Sequence, residues 1–162
     1  MVKKKYKGVF YSMVLCSLII FVLTSCSSNK STYKDVSVKY MDEKIKESVD
    51  ISNMNVGDEE KLEKIYKIDI KDLEEFVLYT PSTNIQANEI AIMKVKDSSK
   101  MEDIQDKISE RIDSQGTNFK DYLPDEYFLI EKHVLKTKDN YILFVISEDA
   151  ETIEKIFDES FK

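Results

Sequence analysis

The apolar positions of this chain fall into three patterns: one unbroken run, several stretches at helical spacing, and several at strand spacing. The run extends from Val9 to Leu23 and is interrupted only by Ser12, Cys16 and Ser17. It follows the basic start MVKKKYKG, and no acidic residue precedes Asp35. It falls short of the roughly 20 apolar residues that cross a bilayer core. A basic start, an apolar middle and small residues at the end predict a bacterial export signal. Residues 27–36, SSNKSTYKDV, are polar and without apolar period, which predicts a flexible tether. Val38, Met41, Ile45 and Val49 then recur at helical spacing and predict an amphipathic helix. "ISNMNVGD" predicts a loop. Asp58 is placed to cap a second helix facing inward through Leu62, Ile65 and Tyr66, and Asp69 to cap one more turn through Leu73.

From there the period shortens. Phe76–Thr80 and Glu89–Val95 are strand-prone and separated by the turn-forming "PSTNIQAN". Ser99 and Glu102 have capping-box spacing, and Met101, Ile104, Ile108 and Ile112 share one helical face. Tyr127–Thr137 and Asn140–Ser147 predict two strands around the tight connection "KDN". Ser147, Glu148 and Asp149 open a last helix striped by Ala150, Ile153, Phe157 and Phe161. Ser98–Ile112 and Ser147–Phe161 match apolar position for apolar position, from duplication or from like packing needs. The expected fold is α+β: a four-stranded, mainly antiparallel sheet in hairpin–helix–hairpin–helix order, with additional N-terminal helices. In "YILFVIS" both faces are apolar. Either the Val38–Val49 helix covers the second face, or Tyr141, Leu143 and Val145 form an interaction surface.

The end of the apolar run sets the expected location. Leu23, Thr24, Ser25 and Cys26 resemble a bacterial lipobox: an aliphatic residue, two small residues and a cysteine. A diacylglyceryl group on the Cys26 thiol, with cleavage just before it, would anchor the chain in a membrane, since two acyl chains suffice for stable attachment. The alternative is an uncleaved signal anchor with Cys26 a free thiol. The expected organisation is a signal peptide at 1–25, a lipidated cysteine and tether at 26–36, and one domain at 37–162. Cys16 leaves with the signal, so the mature domain holds no disulfide and relies on an ordinary core.

Charge narrows the partners. The chain carries a formal net charge of −7, and loss of Lys3, Lys4, Lys5 and Lys7 makes the remainder more acidic. Such a field repels nucleic acid and anionic head groups. The expected partners are the membrane, through the lipid on Cys26, and an envelope protein or small ligand. Arg111 is the sole arginine among abundant lysines, a bias of AT-rich genomes. It favours a Gram-positive cell and the extracytoplasmic face of its membrane.

Candidate chemistry is sparse. His133 is the only histidine, set in "EKHVLK" on an expected strand, with no second imidazole or free thiol to join it. No G-x-S-x-G elbow occurs, and only Gly57 and Gly116 follow the signal, too few for a phosphate-cradling loop. In "NMNVGDEEKLEK", Asp58 and Lys64 stand where an EF-hand needs glycine and glutamate. No catalytic residue, metal ligand or cofactor is therefore expected. Glu74–Glu75 and Glu102–Asp103 keep open a small carboxylate-dependent cell-envelope hydrolase. Arg111, Gln115, Phe119 and Tyr122, ending at Pro124, have the spacing of one helical face. They form either a recognition surface or, for the two aromatics, a core closure, with Gly116 expected to break the helix.

Three segments carry a family resemblance: "YKIDIKDLEEFVLYTPSTNIQANEIAIMKVKD", "RIDSQGTNFKDYLPDEY" and "TKDNYILFVISEDAETIEKIF". Over Tyr66–Phe157 the chain resembles the bacterial lipoprotein family known as domain of unknown function 4358. The resemblance implies an export signal and lipobox joined to one small domain, mostly in Gram-positive anaerobes. It implies no activity and no functional residue. The expectation is a lipid-anchored, noncatalytic binding or accessory domain.

Overall fold

A computed structural model of the chain describes residues 35–162. Helix α1 (Val38–Ser48) starts at Ser37, whose hydroxyl accepts from the Lys39 amide, and it buries Val38, Met41 and Ile45. Strand β1 (Met54–Val56) follows. Helix α2 (Glu59–Tyr66) is capped by Asp58, which accepts from the Lys61 amide, and ends at Lys67 in the left-handed region. Strands β2 (Leu73–Pro81) and β3 (Glu89–Val95) lead to the 19-residue helix α3 (Met101–Phe119). Helix α4 (Pro124–Glu131), strands β4 (Val134–Lys138) and β5 (Tyr141–Ile146), and helix α5 (Ala150–Ser160) complete the chain.

The strands form one antiparallel sheet in the order β1-β2-β3-β5-β4. Every residue of β3 and β5, two of the three inner strands, is buried, as expected of strands covered on both faces. On one face, α1 and α5 pack Met41, Ile45, Ile153 and Phe157 over Ile90, Ile92, Leu143 and Val145. On the other, α2 and α3 pack Leu62, Tyr66, Ile104 and Ile108 over Ala91, Met93, Ile142 and Phe144, with Ile130 of α4 closing the layer. The molecule is therefore a three-layer α/β/α arrangement.

The sheet has five strands rather than the four expected. The fifth, β1, lies in the segment read as loop: Met54, Asn55 and Val56 pair with Pro81, Thr80 and Tyr79. Gly57 follows immediately, its amide donating to the Leu78 carbonyl. The expected strand Tyr127–Thr137 is split. Its first half is helix α4, begun by Pro124 at the first turn with Asp125 and Glu126 behind it, and only Val134–Lys138 pairs with β5. The α3 helix runs through Gly116 to Phe119 instead of breaking there. Its start is also displaced: Asp97, not Ser99, supplies the cap, to a short 3-10 turn preceding the helix. The two matched helices lie on opposite sheet faces, α3 in one layer and α5 in the other. A two-fold axis relating antiparallel neighbours would place both on one face, so the likeness reflects packing periodicity rather than internal symmetry.

Candidate functional site

The most concentrated polar chemistry gathers around Glu89, the first residue of β3. Its side chain is fully buried. Arg111 and Gln115, one turn apart on α3, reach it together: the Arg111 guanidinium donates to Oε2 at 2.8 Å and to Oε1 at 3.4 Å, and Gln115 Nε2 donates to Oε2 at 2.7 Å. The Tyr66 hydroxyl, at the end of α2, donates to Oε1. Burial first, then the adjacent carboxylate, push the Tyr66 phenol well above its ordinary range. Burial works against the Arg111 cation, but its hydrogen bonds and charge contact with Glu89 outweigh that and raise its pKa. Both carboxylate oxygens are thus occupied by donors from two helices. This arrangement pins α2 and α3 to β3 and leaves Glu89 closed to substrate.

The expected face of Arg111, Gln115, Phe119 and Tyr122 is therefore divided. Arg111 and Gln115 turn inward, Phe119 packs partly buried against the core, and Tyr122, beyond the helix end, is 84% exposed. Tyr141, Leu143 and Val145 are buried beneath α1 and α5, so in this chain they serve the core rather than an open face. Leu23, Thr24, Ser25 and Cys26, with the signal and most of the tether, lie outside the described residues. His133 sits in the turn between α4 and β4, where Nδ1 donates to the Ile130 carbonyl at 2.8 Å.

The tether's last two residues are tied down. The Tyr141 hydroxyl shares its one proton between the Val36 carbonyl (2.7 Å) and the Asp35 carboxylate (2.9 Å), and accepts from the Val36 amide (3.2 Å). Lys94 places its ammonium 2.9 Å from both Asp35 and Glu74. The Lys94 hydrogen bond, then Tyr141's, lower the Asp35 pKa. Burial, with the Asp35 hydrogen bond behind it, raises the Tyr141 phenol to about 12. The carboxylate pairs are likewise in structural use: Glu75 accepts from Ser37 and the Val38 amide at the start of α1, and Asp103 pairs with Lys107. Among the described residues, no group of three or more His, Cys, Asp or Glu is placed to hold a metal ion, and no helix is long and apolar enough to cross a membrane.

One open groove stands apart from these networks. It lies between α4 and the start of α5, with a volume of about 830 Å³, and is lined by Phe128, Leu129, Val134 and Ala150 with acidic side chains around them. Phe128 is 52% exposed and carries the Lys132 ammonium 4.1 Å from its ring centroid.

A family model described as a domain of unknown function, DUF4358, matches residues 47–147. The chain belongs to the DUF4358 family. Among curated proteins and among solved structures, nothing matches the chain. The DUF4358 match contains all five strands and therefore the whole Glu89 network, with Lys94 and Tyr141. Cys26 precedes it, and α5, the second wall of the groove, follows it. In the DUF4358 domain the sequence pointed to Arg111 and Gln115 but missed Glu89 and Tyr66. The only available signal was the lone arginine one turn before an amide, which asks for a buried carboxylate without saying which of the many acidic residues supplies it.

Proposed function

We propose that this DUF4358 chain is a lipid-anchored extracytoplasmic accessory domain, held to the membrane by a diacylglyceryl group on Cys26. The observation that carries the reading is Leu23-Thr24-Ser25-Cys26 directly after a basic and apolar start. The clamp on Asp35 and Val36 supports it, because it fixes the point from which residues 27–34 lead back to Cys26. Eight residues span at most about 28 Å at roughly 3.5 Å each, enough to hold the domain near the head groups without embedding it. A binding rather than a catalytic role is supported by the uses found for the carboxylates: Glu89 is enclosed by donors, Glu74 pairs with Lys94, Glu75 caps the start of α1, and Asp103 pairs with Lys107.

The test is to express the natural chain and Cys26→Ala in a Gram-positive host. The natural chain should partition with detergent-phase membrane protein and carry the mass of a diacylglyceryl cysteine at its new N-terminus. The variant should appear in the medium or keep its signal. A mature natural chain that is lipid-free overturns the anchor.

A further inference from the structure

We propose that the groove between α4 and α5 docks a cationic peptide segment of an extracytoplasmic partner, in which a lysine or arginine stands beside an apolar side chain. Its floor is apolar, through Leu129, Val134 and Ala150, and Phe128 stands exposed at its mouth. Of its acidic residues, two are already engaged: Glu126 accepts from the Ala87 amide at 2.7 Å, and Glu154 pairs with Lys136 at 2.7 Å. Asp125, Glu148 and Glu151 are exposed and, among the described residues, make no ion pair.

First-turn acids suit the positive ends of α4 and α5. That accounts for Asp125 and Glu151 but not for an exposed phenyl ring over an apolar floor. The Phe128 ring already attracts one cation, the Lys132 ammonium, which shows the chemistry its face favours. A partner cation set among three unpaired carboxylates, with an apolar neighbour on the floor, would use both features. The same rim repels anionic lipid and disfavours a second copy of this acidic chain.

Position agrees with chemistry. The chain enters the domain at the Lys94–Tyr141 end of β3 and β5, whereas the groove begins at the Val134–Ile146 end. Five residue steps of β5, about 17 Å at roughly 3.4 Å each, separate the two. The groove thus lies at the end of the sheet opposite Asp35 and Val36, so that an anchor preceding them attaches at the far end from it. This placement, unlike the peptide chemistry, rests on the lipid-anchor reading.

The test uses the full chain in detergent with a fluorescein-labelled peptide alternating lysine and leucine, read by anisotropy. Saturable binding is expected, with none for a peptide carrying glutamate in place of lysine. Phe128→Ala, and separately Glu148→Lys with Glu151→Lys, should each weaken binding about tenfold; Phe128→Ala should leave the thermal melt unchanged, and the charge reversal should lower it only as far as the matched first-turn reversal on α2 does. Glu59→Lys with Glu60→Lys, the same charge change made on α2, should leave binding intact. The docking site is overturned if the lysine–leucine peptide does not bind, if Phe128→Ala has no effect, or if the α2 reversal weakens binding as much as the groove reversal. Sedimentation showing a dimer that the groove variants dissolve also overturns it, in favour of a second copy. Cys26→Ala should bind like the natural chain, so failure of the anchor is read in the membrane fraction and failure of the groove in the anisotropy.

Discussion

Glu89 shows how much one side chain can organise. A carboxylate with no exposure is held in place only by what donates to it: a guanidinium, an amide and a phenol from two helices. Replacing it with its amide keeps the shape and removes the charge. Glu89→Gln should destabilise the fold by about 3 kcal/mol, because the partly buried Arg111 cation loses its counter-charge. Urea unfolding of both chains measures this, and an unchanged midpoint would mean that the Glu89–Arg111 contact does not stabilise the fold. The companion residues were half visible in sequence. Arg111 and Gln115 stand out by type and spacing, whereas Glu89 is one acid among 31 and follows a loop. Which acid lies opposite an arginine is decided by the register of β3 against α3, a tertiary fact that no local pattern encodes.

At the scale of elements, the same contrast between local and tertiary causes explains what was read correctly and what was not. The stripes of α1, α2 and α3 were legible because each helix buries one face, and 3.6-residue periodicity records that directly. Helix α4 was misread because Tyr127, Phe128, Leu129 and Ile130 are continuously apolar and give no period. The better cue was Pro124 followed by two acids, a helix start. Strand β1 was unreadable for another reason: three residues with Asn55 at the centre have little strand preference, and they pair only because β2 offers a free edge. Gly57 permits that pairing. A Cβ there would lie 2.5 Å from Leu78 Cδ2 and 2.7 Å from Cγ, in a fully buried side chain. Gly57→Ala should therefore cost about 1–3 kcal/mol. Its signature should be faster hydrogen exchange of the β1 amides, with the β3–β5 amides still protected.

Across the whole molecule, the α+β class was legible and the strand count was not. Apolar residues on both faces of β5 signalled a second covering, and α1 with α5 supply it. The first residues of the domain matter here too, because Tyr141 joins Asp35 and Val36 to the centre of the sheet. The folded chain holds the Tyr141 proton to about 12, whereas an unfolded tyrosine releases it near pH 10. Between those values the unfolded state binds fewer protons, so stability declines as pH rises. Tyr141→Phe should lower stability at neutral pH and flatten that alkaline decline, as followed by urea midpoints from neutrality to pH 12; an equally steep decline would place the cause elsewhere.

That same hydroxyl also constrains the order of assembly. Val36 and Tyr141 are 105 residues apart, and β3 lacks its β5 neighbour until the last hairpin has been synthesised. A nascent chain therefore cannot mature from its beginning. Helix α1 waits without its α5 partner, β3 presents an open hydrogen-bonding edge, and the arrival of β5 closes the sheet and fastens the N-terminal entry in one step. Contacts of such long sequence separation make for slow, late folding. They also leave any chain cut short before Tyr141 with a bare, apolar strand edge, a template for aggregation rather than a smaller working domain.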